Sequence, residues 1–127
     1  MIFDPVELVS SSKNVFVTKI VAQNDGATIA GVRLGEQIEI SLEEDQYSGR
    51  QWAVKFNEVN LTLVGKGTFT VNPRNPQFGM RVFRFDCSGF GPGDIELHEV
   101  VSEFAFGEFA GSTIPGGKTF RVCIEVS

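Results

Sequence analysis

The chain has 127 residues, of which 42% are hydrophobic and twelve are Phe, enough to bury one core without disulfide staples and far from the composition of a disordered protein. Its formal net charge of −5, from 11 basic and 16 acidic residues, comes with no basic stripe, which excludes the phosphate backbone of a nucleic acid as partner. Nowhere do 18 apolar residues follow one another, so neither a membrane-spanning helix nor a membrane partner is expected.

The first stretch, MIFDPVELVSSSK, carries acids and a proline where a secretory leader would carry a basic region and an apolar run. A cytoplasmic protein is expected, with residues 1–12 packed loosely. Within this stretch DPVELVSS offers one turn of helical periodicity, and little or no helix is expected elsewhere. From there on nearly every periodic segment alternates with period two: NVFVTKIV, EQIEISL, QWAVKF, NLTLV, GTFTV, MRVFRF, DIELHEV and TFRVCIEV. Between them lie the turn signals NDG, DQYSG, VGKG, NPRNP, SGFGPG, AGS and PGG. The spacing predicts a single all-β domain over residues 1–127, with about eight strands in a sandwich or barrel.

Parity assigns the faces. Ile38, Ile40 and Leu42 point one way, as do Trp52, Val54 and Phe56, so Trp52 is expected inside, anchoring the far side of the DQYSG loop. Phe83, Phe85, Ile95 and Leu97 belong to the same core, and in the last strand Phe120, Val122, Ile124 and Val126 face it while Thr119, Arg121, Cys123 and Glu125 face away. Cys87 shares parity with Phe83 and Phe85 whereas Cys123 lies on the outer face, which argues for two reduced thiols. The sequon Asn60-Leu61-Thr62 bears on folding only in a eukaryotic secretory route.

Candidate chemistry is sparse. STIPGGKT (112–119) differs by Ser112 from a phosphate-binding loop, but that loop must open a helix, and here a strand follows. SGFGPGD (88–94) lacks the G-x-G-x-x-G spacing of a dinucleotide site and reads as a strand connection. Asp94, Glu96 and His98 project from one face of a strand; with a single histidine in the chain they read as a solvated polar face and not as a metal set. Neither cysteine has a helix start or a positive neighbourhood to activate it as a nucleophile. No catalytic role, metal or cofactor is expected. FAFGEFAG (104–111) is different, because an aromatic, glycine-containing loop on a rigid sheet is a common recognition device, with Phe109 the most exposed by context.

The run VTKIVAQNDGATIAGVRLGEQIEISLEEDQYSGRQW resembles the start of the chagasin family of cysteine-protease inhibitors. There a Gly-Glu step, here Gly35-Glu36, and an alternating strand lead through an Asn-Pro-Thr-Thr-Gly loop to a Trp, here Trp52. The loop positions fall on Asp45, Gln46, Tyr47, Ser48 and Gly49. A second loop before an aromatic strand is matched by FGMRVFRF, with Phe78 and Gly79, and a third lies between DIELHEV and KTFRVCIEV. Only Gly49 of the first motif is kept, Gln46 stands where the family has proline, and the third loop has Phe104, Phe106 and Phe109 in place of an Arg-Pro-aromatic motif. The resemblance covers about residues 15–126. It implies an immunoglobulin-like antiparallel β-sandwich that places three loops in the cleft of a papain-like cysteine protease; a monomer or weak homodimer is expected. The alternative on the same fold is a non-inhibitory interaction module that self-associates through an edge strand or the Phe-rich loop.

Overall fold

The alternating segments form two stacked four-stranded sheets in the computed structural model, which describes residues 16–101 and 117–127. The strands are β1 (Val17–Ile20), β2 (Thr28–Val32), β3 (Gln37–Asp45), β4 (Arg50–Phe56), β5 (Leu61–Val71), β6 (Phe78–Cys87), β7 (Gly91–Val101) and β8 (Thr119–Val126). One sheet has the order β1-β3-β6-β5 and the other β2-β8-β7-β4. Both are antiparallel except at one edge each, where β1 runs parallel to β3 and β2 parallel to β8. A single 3-10 turn, Ala22–Asn24, joins the two N-terminal strands. Residues 1–12, with the helical turn expected there, lie outside the described residues.

The inward positions read from parity form the core. Ile38, Ile40, Phe83 and Phe85 from one sheet meet Ile95, Leu97, Val122 and Ile124 from the other, each at most 2% exposed. Phe56 meets Phe85 edge to face with ring centroids 5.2 Å apart, the geometry favoured by the aromatic quadrupole. Burying this many large side chains is the main force holding the two sheets together, at roughly 25 cal/mol per Å² of apolar surface removed from water.

Two elements depart from the sequence reading. NLTLV and GTFTV are not separate strands, because VGKG continues the chain as an irregularity within β5, where the pairing with β6 shifts register between Val64 and Thr68. Gly65 and Gly67 take φ values of 77° and 88° there, and a Cβ on Gly67 would stand 2.7 Å from the Phe83 ring. Left-handed glycines of this kind make a bulge that keeps the strand going. Conversely β2 shows no clear alternation in the sequence: Gly31, at φ 77°, interrupts it, and its register with β8 shifts between Ile29 and Val32.

Register then decides what comes together. Asp45 is paired with Phe78 at the end of β3, Val71 with Gly79 at the end of β5, and Arg50 with Val101 at the start of β4. The turns 46–49 and 72–77, and the point where β7 gives out, therefore share one end of the sandwich.

Candidate functional site

At this end the first tip is folded by its own side chains. Asp45 Oδ1 accepts the Tyr47 N–H at 2.9 Å, and the Asp45 carbonyl accepts the Ser48 N–H at 3.2 Å and the Ser48 hydroxyl at 2.7 Å. Ser48 Oγ in turn accepts the Arg50 N–H at 3.1 Å. An aspartate that bonds the backbone two residues on nucleates a tight turn, and Gly49 at φ 75° completes it. Tyr47 is left 71% exposed at the apex.

The second tip, residues 72–77, is built the same way. Asn72 Oδ1 accepts the Arg74 N–H at 3.0 Å, Asn75 donates to the Asn72 carbonyl at 3.1 Å, and Phe78 donates to the Asn75 carbonyl at 3.0 Å. The two tips are also bonded to each other. The Gln46 N–H donates to the Gln77 carbonyl at 2.9 Å, the Gln46 side-chain amide donates to the Pro76 carbonyl, and Gln77 Nε2 donates to Asp45 Oδ2 at 2.9 Å.

Beneath them lies a buried ion pair. Glu44, 5% exposed, receives Arg81 Nη2 on Oε2 at 2.6 Å and both Arg81 Nε, at 3.1 Å, and the Trp52 N–H, at 3.0 Å, on Oε1. The Arg81 guanidinium lies 5.1 Å from the centroid of the Phe69 ring. The Trp52 indole N–H donates to the Glu43 carbonyl at 3.0 Å. β3 and β4 belong to different sheets, so these bonds fasten one sheet to the other directly under the first tip. Glu44 and Arg81 were not singled out from the sequence, yet the signal is there: each continues the inward parity of its strand, Glu44 after Leu42 and Arg81 before Phe83, with opposite charges.

The roots of the third segment are described and its interior is not. Lys118 donates its N–H to Glu99 Oε1 at 3.0 Å and accepts the Glu99 N–H at 3.0 Å, and Arg50 Nη1 stands 3.8 Å from the same carboxylate. Phe104, Phe106 and Phe109 lie outside the described residues. Between these roots and the first tip is a hollow of about 410 Å³ with Asp45, Ser48, Arg50, Phe78, Glu99 and Lys118 on its walls.

Of the residues expected in the second loop, Phe78 opens β6 half-buried and Gly79 is buried within it. A Cβ on Gly79 would meet the Thr70 carbonyl at 2.3 Å and the Phe69 ring at 2.5 Å, so this glycine allows two strands to approach and the tip itself is 72–77. Asp94, Glu96 and His98 share one face as read, but that face is solvated only in part: Asp94 is exposed, Glu96 pairs with Arg121 at 3.4 Å, and His98 is 2% exposed on the same side as buried Ala53 and Val100. The alternation is broken there, since Leu97, His98 and Val100 are all buried. Both thiols are reduced. Burial, with Glu36 and Asp86 nearby, raises the Cys87 thiol above its ordinary value, and burial with Asp94 alongside raises Cys123, the opposite of what a nucleophile needs.

No protein-family model matches the sequence, and no curated protein matches it. Solved structures do match in shape. The cysteine protease inhibitor EhICP2 from Entamoeba histolytica superposes with a TM-score of 0.72 at 14% identity, over 90% of this chain and 98% of that one. Amebosin gives 0.66 at 18% identity, over 88% and 98%. PbICP-C, solved in complex with falcipain-2, gives 0.55 at 10% identity, over 94% and 96%. Two stacked four-stranded sheets, with the tips 46–49 and 72–77 at one end, thus give this chain a chagasin-like fold, shared with EhICP2, amebosin and PbICP-C.

Proposed function

We propose that the protein is a non-enzymatic, non-covalent inhibitor of papain-like cysteine proteases, and that the end bearing residues 45–49 and 72–77 enters the active-site cleft. The observation that supports this most is the bonding of two separate tips into one surface, on a fold shared with a protein solved in complex with falcipain-2. A surface already ordered in the free protein loses little conformational entropy on docking, which is what a tight inhibitor without a covalent step requires. Tyr47 supplies the exposed aromatic contact, Ser48 and Gly49 present backbone without bulk, and Phe78 flanks them. The test is titration of papain with the protein. Competitive loss of activity at or below micromolar concentration is expected, and full activity in molar excess at that concentration rejects the reading.

A further inference from the structure

We infer that Gln77 is a positioning residue that sets the conformation of the first tip from the second, so that the two tips act as one unit. This rests on the inhibitor reading and gives Gln77 a role in setting the turn that carries Tyr47, over and above any contact of its own with the protease.

The argument begins at Asp45. Its two carboxylate oxygens are divided between the tips, Oδ1 holding the Tyr47 N–H at 2.9 Å and Oδ2 holding Gln77 Nε2 at 2.9 Å. The charge on this acceptor strengthens both bonds. One residue further, the Gln46 N–H donates to the Gln77 carbonyl, and the Gln46 side chain reaches the Pro76 carbonyl. Gln77 therefore grips the first tip twice, by its amide and by its carbonyl, at the two residues that precede Tyr47. Within the first tip itself the remaining bonds run between Asp45, Ser48 and Arg50, and these fix the return of the turn more than the direction of its apex. A proline at 46 would fix one φ angle but would carry no N–H for the Gln77 carbonyl. The stiffness of the apex here comes from the neighbouring tip.

The experiment exchanges donor and acceptor. Gln77→Glu sets a carboxylate against Asp45 and is expected to raise the inhibition constant against papain about tenfold, as loss of a hydrogen bond to a charged group does, and to speed amide exchange at Gln46 and Tyr47 in the free protein. Combining it with Asp45→Asn restores a donor and acceptor pair, leaves an oxygen for the Tyr47 N–H and returns the net charge to its starting value. Recovery to within about threefold of the original constant is expected from that double variant, a rescue that a merely structural role for either residue would not give. Gln77→Ala, which removes the donor without adding charge, serves if the glutamate variant does not fold. Unchanged amide exchange in the single variants, faster exchange with unchanged inhibition, or absence of rescue overturns the inference. If the starting protein fails to inhibit papain, the inhibitor reading falls by itself, and the exchange rates still uphold or overturn the coupling of the tips.

Discussion

The two ends of the sandwich are both tied down, but by different means. At the end opposite the tips, the connection 57–60 is packed into the connection 88–90. Asn60 is 5% exposed, its carbonyl accepts the Ser88 and Gly89 N–H groups at 2.9 and 3.0 Å, and its side-chain amide bonds Asn57 and the Phe90 carbonyl. A Cβ on Gly89 would stand 2.5 Å from the Val59 carbonyl. Here backbone meets backbone, with no room between them. At the tip end one backbone bond, from the Gln46 N–H to the Gln77 carbonyl, is joined by side-chain bonds of Gln46, Gln77 and Asp45 at or near the surface, above a buried Glu44–Arg81 pair. A tightly packed end answers substitution with a loss of stability. An end held by surface hydrogen bonds over a fixed base can change shape, and so change what it binds, while the fold stays intact.

The base under the tips is where the largest effect is expected. Trp52→Ala removes a buried aromatic side chain together with the indole bond to Glu43, and the unfolding free energy should fall by about 3–5 kcal/mol in urea titration. Glu44→Ala leaves Arg81 without its partner and should lower it by about 3 kcal/mol, as the breaking of a buried pair does; a loss under about 1 kcal/mol would mean that this base is solvated like an ordinary surface pair. At the opposite end Gly89→Ala forces backbone apart and should lower stability by about 1–3 kcal/mol with inhibition unchanged. The thiols give a weaker, pH-dependent contrast. Because the folded state holds the Cys87 thiol protonated above its ordinary value, the unfolded chain loses that proton first. This contribution is therefore intact at neutral pH and is lost as the pH rises through and beyond the usual thiol range. Cys87→Ala should show a shallower fall of the urea midpoint between neutral pH and about pH 10. Smallest in stability is Tyr47→Ala, within about 0.5 kcal/mol of the original protein because the side chain is exposed, while the inhibition constant rises.

Period-two alternation carries most of the fold. Trp52, Phe83, Phe85, Ile95, Leu97, Phe120 and Ile124 are buried where parity puts them, since a strand with one covered face has no other way to segregate its side chains. What alternation conceals is any position where glycine alters the step. The left-handed glycines of β5 look like a turn in the sequence and make a bulge in the molecule, and Gly31 hides β2 altogether. Pairing direction is equally hidden, because the parallel edges β1/β3 and β2/β8 depend on partners far along the chain. In the site, the apex at residues 45–49 was legible from its polar turn chemistry. The second turn ends just before Phe78 and Gly79, and an aromatic after a proline-rich turn reads as loop until its strand partner, Asp45, is known. The bonds of Gln46 and Gln77 join residues whose closeness only register creates.

β8 lies between β2 and β7 and follows both of them in the chain. Thr28 pairs with Cys123 and Gly91 with Val126, so its sheet lacks an inner member until β8 is available to pair. Translation therefore delivers a long nascent chain whose first sheet can assemble while the second waits with β2 unpaired. Such late, non-local closure is slow, and it leaves newly made protein dependent on whatever shields open strand edges in the host cell during that interval.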